Sequence, residues 1–129
     1  MTSLLLDTHA LLWWLDGDER LPPAARAAIA DTSNLVMVSP ASAWEITTKH
    51  RLGKLPLAAD VARDVAGCIV AQGFAELPIT LRDAERAGRL PGPHRDPFDR
   101  MLVAQALRAD LELVSNERIF DDYGVRRLW

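Results

Sequence analysis

Short apolar runs alternate along the chain with longer stretches in which apolar residues recur at helical spacing. Five runs have the length and composition of strands, and they cover residues 4–7, 35–38, 74–79, 111–115 and, at an edge, 125–129. The stretches between them predict helices over residues 8–15, 22–30, 40–52, 60–72, 81–90 and 97–109. Strands that alternate with helices form a parallel sheet covered on both faces. The pattern therefore predicts an α/β fold, a three-layer α/β/α sandwich with a mainly parallel central sheet.

Length and composition limit the class of protein. The chain has 129 residues, 49% hydrophobic and 26% charged, so we expect a single domain over residues 1–129. One cysteine excludes an internal disulfide and a cysteine-based zinc site. No apolar run approaches the roughly 20 residues of a membrane span, and no basic segment precedes the first apolar run as in a signal peptide. We therefore expect a cytoplasmic protein that does not contact a membrane.

Four acidic residues lie where an apolar run meets helical sequence. Asp7 closes the first predicted strand, Glu117 follows the fourth, and Glu45 and Asp99 open helical stretches in the middle of the chain. In an open parallel sheet, the carboxyl ends of the strands border one crevice. Carboxylates gathered there need a cation, and Mg²⁺ prefers carboxylate and water oxygens. The pattern therefore indicates a divalent-metal site and, through it, phosphate chemistry.

Each of these acids also has a structural interpretation. Asp7 is placed to cap the first helix. Ser42 with Glu45, and more loosely Asp96 with Asp99, have the spacing of capping boxes. The negative charge of Glu117 would interact favourably with the dipole of a short final helix. Capping explains an acid at one junction but does not require acids at four, since serine, threonine and asparagine cap equally well.

The net charge of the chain bears on which class of molecule it can bind. A charge of −3 argues against a simple nucleic-acid binder, which is usually basic. Two bound divalent cations would add four charges and take −3 to +1. The acidic total is therefore compatible with a metal-dependent enzyme that acts on a polyanion.

The motifs around the acids carry a family resemblance. Residues 5–13 (LLDTHALLW) and 42–46 (SAWEI) contain the first two acids, and residues 95–106 (RDPFDRMLVAQA) form the most specific motif. Residues 113–117 (LVSNE) come last. The chain resembles the PIN-domain family along its whole length, and more specifically the VapC-type toxins of bacterial toxin–antitoxin pairs. The last motif departs from the family, which commonly has Thr-x-Asp there.

This resemblance implies an endoribonuclease that uses Mg²⁺ or Mn²⁺. By its motifs, Asp7, Glu45 and Asp99 would be the principal metal ligands. Glu117 would complete the catalytic acids, and Glu117 and Asp96 are further candidate metal ligands. Because its side chain is one methylene longer than the usual aspartate, Glu117 would either lie outside the direct ligands or make a water-mediated contact. The metal would polarise the scissile phosphate and activate a water molecule, which predicts products with a 5′-phosphate and a 3′-hydroxyl.

The resemblance also implies supporting residues and partners. Asp96 would cap a helix and touch the site, and Ser115 would hydrogen-bond a site carboxylate. The family forms homodimers, and a VapB-like antitoxin lays an apolar segment in a groove while blocking the site. The early helix would supply that groove through Leu11, Leu12, Trp14 and Leu15.

Two interpretations remain open for the basic residues near the acids. Lys49, Arg51 and Lys54 follow the second acid, where they are either a solvated helix end or a rim that guides RNA phosphates. Arg95 and Arg100 are further candidates for phosphate contact because they lie beside the third acid.

The main alternative function is a non-catalytic PIN module that binds RNA or a protein partner. The departure at Glu117 favours this alternative, and the intact Asp7, Glu45 and Asp99 oppose it. A second alternative keeps an enzyme but makes it a phosphatase or a structure-specific DNA nuclease.

Overall fold

A computed structural model describes residues 1–129, which form five strands and seven α-helices. The strands are β1 (Ser3–Leu6), β2 (Leu35–Val38), β3 (Ala75–Glu76), β4 (Glu112–Val114) and β5 (Arg127–Leu128). The helices are α1 (Thr8–Asp16), α2 (Pro23–Ala30), α3 (Pro40–Arg51), α4 (Ala59–Arg63), α5 (Val65–Ala71), α6 (Leu81–Arg89) and α7 (Pro97–Ala109). Short 3-10 segments span Pro56–Ala58 and Arg118–Tyr123. No helix combines the length and hydropathy needed to cross a membrane.

The five strands form one sheet in the order β3-β2-β1-β4-β5, and every pairing is parallel. Side chains of β1 alternate between the two faces of this sheet. Leu4 and Leu6 pack with residues of α1, α2, α3 and α5, whereas Leu5 packs with residues of α7. Helices therefore cover both faces, and the predicted three-layer α/β/α architecture with a parallel sheet is confirmed.

The strand order creates a switch point beside β1. From β1 the chain moves to β2 and β3 on one side, and it later returns to place β4 on the other side. A crevice opens at such a point, outside the carboxyl ends of the strands. Leu6 of β1 is in register with Val114 of β4. The residues that follow these two positions therefore lie side by side at the crevice.

Three predicted elements differ clearly from the observed ones, and one of them is the edge strand over residues 125–129, which is limited to Arg127–Leu128. The helix predicted over residues 60–72 is split, because Asp64 leaves helical geometry and its carboxylate accepts a hydrogen bond from Gly67 N at 2.9 Å, which caps α5. The third strand is limited to Ala75–Glu76. Leu77 N still donates to Val38 O at 2.9 Å, but Pro78 has no N–H to continue the ladder.

The helix caps correct one sequence interpretation and support another. The predicted capping box of Ser42 and Glu45 is wrong, because α3 begins at Pro40 and its N-cap is Ser39, whose hydroxyl accepts from Ala41 N at 3.0 Å. Glu45 consequently lies in the second turn of α3 rather than at its start. Asp96 does cap α7, but no side-chain hydrogen bond returns from Asp99 to complete a box.

An ion pair fixes α6 against α7. Asp83 on α6 is almost completely buried and accepts from Arg108 of α7 through Nε at 2.6 Å and Nη2 at 3.0 Å. Burial raises the pKa of Asp83, but the bonds from Arg108 and Thr80 outweigh burial and hold the pKa below its ordinary value. This charge therefore stabilises the folded chain.

Candidate active site

Asp7 lies at the switch point, immediately after β1. Its backbone N donates to Val114 O at 3.1 Å, which continues the β1–β4 pairing by one residue. The side chain is only 4% exposed, and its Oδ1 accepts from Ala10 N at 2.7 Å as the N-cap of α1. The cap interpretation is confirmed, and it uses only one of the two carboxylate oxygens.

Ser115 links the two strand ends. It follows β4 and is fully buried, and its side chain lies close enough to the Asp7 carboxylate to lower the pKa of that group. Its hydroxyl oxygen accepts from Glu117 N at 3.0 Å. Ser115 therefore connects the first acid with the loop that carries the fourth, and Glu117 is the half-buried residue before the second 3-10 segment. The Glu117 side chain makes no capping hydrogen bond there.

Glu45 is brought to the crevice by α3 and is 4% exposed. Its Oε1 accepts from the Thr8 hydroxyl at 2.5 Å, and the Thr8 and Ser42 hydroxyl oxygens lie 3.2 Å apart. Its Oε2 forms an ion pair with Lys49 Nζ, one helical turn further along α3. Both carboxylate oxygens are thus held by groups of the same chain.

Asp99 is in the first turn of α7, with a side chain that is 16% exposed. Its Oδ2 lies 2.9 Å from His94 Nε2. The neighbouring Asp96 accepts from Phe98 N at 2.9 Å and from Asp99 N at 3.2 Å, so its carboxylate is used as a helix cap. This agrees with the capping part of the expected role of Asp96.

The acids repel one another, which shows that they share one region. Burial raises the pKa of Asp7 to about 6, against the hydrogen bonds of Ser115 and Ala10 N, and the charges of Glu117 and Glu45 raise it further. Burial also raises the pKa of Asp99 to about 6, although the hydrogen bond to His94 lowers it. Repulsion from Asp96, Glu117 and Glu45 adds to the rise at Asp99. Four elements therefore contribute carboxylates to one electronegative site.

Lys49 is a cation inside this acidic region. Burial lowers the pKa of its ammonium group, but the hydrogen bond and charge of Glu45 together with the charges of Asp96 and Asp99 raise it above its ordinary value. The ammonium group therefore interacts with acids from both α3 and α7.

The donor chemistry of this site fits a hard divalent cation, because the available ligands are carboxylate and hydroxyl oxygens. No three His, Cys, Asp or Glu side chains are arranged around one point to hold a metal ion as they stand. Instead, the Glu45 carboxylate pairs with Lys49, and the Asp99 carboxylate pairs with His94. The residues present thus suit Mg²⁺ or Mn²⁺ in type and charge, provided that these internal partners release the carboxylates.

The structure argues against the predicted phosphate contact of Arg100. Its guanidinium donates to four carbonyl oxygens that precede α7, those of Ala87 (2.8 Å), His94 (2.9 Å), Leu90 (2.5 Å) and Gly88 (3.4 Å). Arg100 is therefore committed to holding the segment that carries His94.

The other basic candidates differ in position. Arg51 and Arg95 are exposed, and Lys49 is in the acid cluster itself. Lys54 lines a cavity of about 270 Å³ between α1 and the chain that follows α3. Only Lys49 has a contact with a site acid that the structure records.

The same cavity corrects the predicted apolar groove on α1. Leu11 is fully buried in the core, and Trp14 packs on Phe74 with ring centroids 6.2 Å apart. Leu12 lines the cavity as predicted, and Trp13, which the prediction did not include, lines it as well. The adjacent tryptophans diverge because neighbouring residues of a helix face different directions.

Thr8 and His94 are site residues that the sequence interpretation did not assign. Thr8 directly follows Asp7, and its hydroxyl donates a hydrogen bond to Glu45, 37 positions away in the sequence. No local sequence pattern predicts a hydrogen bond over that separation. His94 is bonded to Asp99 across five positions and one helix start. By contrast, the Glu45–Lys49 ion pair could have been predicted from the sequence, because the two residues have the i,i+4 spacing typical of ion pairs on a helix.

Thr8→Val should destabilise the protein by about 2 kcal/mol, since it leaves a buried Glu45 oxygen without its hydroxyl donor. Urea unfolding at pH 8 measures this loss. Thr8→Ser keeps the donor and should lose clearly less. Equal losses in both variants would instead assign the effect to packing of the Thr8 methyl group.

Comparisons with known proteins agree with this fold. The family model for the PIN domain matches residues 4–125. Ribonuclease VapC22 of Mycobacterium tuberculosis is 31% identical over 119 residues, which cover 92% of this chain and 89% of that protein.

Solved structures show the same fold at low sequence identity. The VapBC2 structure from Rickettsia felis, bound to a DNA fragment from their promoter, gives a TM-score of 0.67 at 12% identity and covers 98% of each chain. Mycobacterium tuberculosis VapC20, described as a Sarcin-Ricin loop cleaving toxin, gives a TM-score of 0.60 at 17% identity and covers 95% of each chain. Because the family model spans nearly all of the sequence and a relative is 31% identical across it, the chain belongs to the PIN-domain family.

Proposed function

We propose that this protein is a metal-dependent endoribonuclease and the toxin of a toxin–antitoxin pair. The observation that carries the proposal is the cluster of acids at the switch point of the sheet, where the pKa values of Asp7 and Asp99 are both raised to about 6. A folded protein that gathers mutually repelling carboxylates in a crevice is arranged to receive a multivalent cation. The relationship to VapC22, a ribonuclease, supports RNA as the substrate.

Asp7, Glu45 and Asp99 would hold the metal in this proposal, with Glu117 as a supporting acid. When bound, Mg²⁺ or Mn²⁺ would lower the pKa of a water molecule and polarise the scissile phosphate. Ser115 orients the Asp7 carboxylate, and the cleaved strand carries a 5′-phosphate and a 3′-hydroxyl.

Glu117 retains a carboxylate in the acid cluster. This argues against the alternative function, a PIN module that has lost cleavage. Its charge acts on both Asp7 and Asp99, although its side chain is longer than the usual aspartate of the family. A glutamate at this position therefore changes the reach of the fourth acid but not the sign of its charge.

The proposed partners follow from the relatives. The Rickettsia felis structure is a VapBC2 assembly, and a Klebsiella pneumoniae structure that covers 88% of this chain with a TM-score of 0.53 is a toxin–antitoxin complex. We infer a VapB-like antitoxin for this chain, and we retain the homodimer and the cytoplasmic location expected from its sequence. The cavity beside Trp13 offers apolar surface for an antitoxin segment.

Cleavage of total cellular RNA by the purified protein tests the function. Wild-type protein and Asp99→Asn are incubated with Mg²⁺, with Mn²⁺ and with a chelator, and the RNA ends are sequenced. Discrete cuts with 5′-phosphate ends should appear for the wild type with metal only.

Phosphomonoester and DNA substrates, tested in parallel, separate this function from a phosphatase or a DNA nuclease. Cuts that survive both the chelator and Asp99→Asn would show that the acid cluster does not perform the reaction. Metal binding without cleavage of any RNA, by protein freed of antitoxin, would favour the non-catalytic module.

A further inference from the structure

Lys49 lies on α3 within the acid cluster, where it contacts Glu45 and is near enough to Asp96 and Asp99 to be affected by their charges. Its Nζ pairs with Glu45 Oε2, while the charges of Asp96 and Asp99 attract the ammonium group from the other helix. The second oxygen of Glu45 accepts from the Thr8 hydroxyl at 2.5 Å. Each oxygen of Glu45 thus has one partner inside the chain, and the partner of Oε2 is a cation.

Glu45 cannot keep this arrangement and also serve as a metal ligand through the same oxygen. An ammonium group and a divalent cation on one carboxylate oxygen repel each other, and the divalent cation has the greater attraction for the acids. Lys49 is the partner able to leave, because its side chain is 31% exposed and its stem is flexible. Thr8 is buried at the start of α1 and has no comparable freedom.

The released ammonium group needs another anion within reach. The neighbouring acids are poorer partners once metal is bound, because Asp99 is itself a proposed metal ligand and Asp96 gives its Oδ1 to the cap of α7. An RNA strand that is cleaved at a metal held by Glu45 would bring a phosphate close to Lys49, which pairs with the same carboxylate. An ammonium group binds phosphate well as a compact point charge.

We propose that Lys49 is a movable counterion: it neutralises Glu45 in the free protein and transfers to a phosphate oxygen of the RNA when Glu45 takes up the metal. This inference rests on the function proposed above, and it assigns one side chain two successive anionic partners. Lys49 is then a catalytic residue that touches the substrate, and its departure from Glu45 links metal uptake to phosphate binding.

The test combines metal titration with cleavage kinetics for Lys49→Met and Lys49→Arg. Mn²⁺ binding is measured by calorimetry at pH 8 without RNA, and kcat and KM are measured with the cleaved RNA. Lys49→Met should bind Mn²⁺ at least about fivefold more tightly, because one competing unit charge is removed at contact distance. Its kcat should fall by about a hundredfold, as for loss of a donor that stabilises a reacting phosphate. Lys49→Arg keeps the charge and should retain wild-type Mn²⁺ affinity and recover part of the kcat.

Arg89→Met is the matched control, since it removes the basic partner of Glu85 from an i,i+4 pair on α6. It should change neither Mn²⁺ affinity nor kcat. Thermal melting identifies any variant that is not folded, and Lys49→Gln replaces Lys49→Met if the latter fails to fold.

Unchanged or weaker Mn²⁺ binding by folded Lys49→Met would overturn the counterion role. Tighter Mn²⁺ binding with an unchanged kcat would overturn the transfer to phosphate. If the wild-type protein cleaves no RNA, the proposed function and the transfer step both fail, while the Mn²⁺ titration still decides whether Lys49 competes for Glu45.

Discussion

Replacing Asp7 or Asp99 with asparagine should lower kcat for RNA cleavage by about a thousandfold, whereas Glu117→Gln should lower it by about tenfold. The amide removes the charge that attracts a divalent cation, and Asp7 and Asp99 are the two acids whose pKa values are most clearly raised. Glu117 is half-buried and acts from a loop after β4. Rates are compared at saturating Mg²⁺ with a labelled RNA that contains one cut site.

Asparagine is the informative replacement at position 7. Its side-chain oxygen still accepts from Ala10 N, so the cap of α1 is preserved while the charge is lost. Asp60→Asn is a suitable control, because that side chain is 96% exposed on α4. Losses as large for Glu117→Gln as for Asp7→Asn would make Glu117 a direct ligand, and wild-type rates in Asp7→Asn would refute the mechanism.

The Asp7→Asn change should also stabilise the metal-free protein at pH 8, by about 2–3 kcal/mol. The folded chain holds the proton of Asp7 up to a pKa of about 6, against an ordinary value of 3.8. The contribution of the protonated Asp7 carboxyl to the free energy of unfolding is fully present below pH 4. It is lost as the pH rises to about 6 and beyond. An uncharged amide does not suffer this loss.

Chemical denaturation between pH 4 and pH 8 measures the effect. The advantage of Asp7→Asn should disappear near pH 4 and reach its full value above pH 7. Saturating Mg²⁺ should reverse the order, because the ion stabilises only the protein that binds it well. If Asp7→Asn is less stable than the wild type at pH 8 without metal, the Asp7 charge does not destabilise the folded protein.

Asp83→Asn provides a buried-acid control of opposite sign. The pKa of Asp83 lies below its ordinary value because the bonds from Arg108 and Thr80 outweigh its burial. Its charge therefore stabilises the folded state above the unfolded pKa, and the stabilisation is lost as the pH falls through the folded pKa. Neutralising it should destabilise the protein by about 3 kcal/mol at pH 8. Asp7 and Asp83, two buried aspartates of one chain, are thus expected to respond oppositely to the same substitution.

The elements that sequence patterns predicted most closely have strong local signals at both ends. The prediction over residues 35–38 matches β2, and the prediction over residues 97–109 matches α7. An apolar β-branched run defines the first, and Asp96 followed by Pro97 defines the start of the second. The splitting of helix 60–72 at Asp64 was missed, since the carboxylate that caps α5 competes with a regular apolar periodicity.

The candidate site was predictable in its residue types but not in its contacts. The four acids stand out because carboxylates recur at the ends of predicted elements, and the PIN-domain motifs contain them. Their hydrogen-bond partners were not predictable, as Arg100 illustrates: its position beside Asp99 indicates a phosphate contact, yet its guanidinium holds four carbonyl oxygens of the preceding segment.

Local sequence was sufficient for the class of fold and for the presence of an acidic site, because periodicity and turn residues act over a few positions. Only the packed chain decided the strand order, the pairing of Thr8 with Glu45 across 37 positions, and the raised pKa values of Asp7 and Asp99. These properties depend on distances and burial between residues that are remote along the chain. Spacing in a sequence carries no information about such distances until the sheet has brought the residues together.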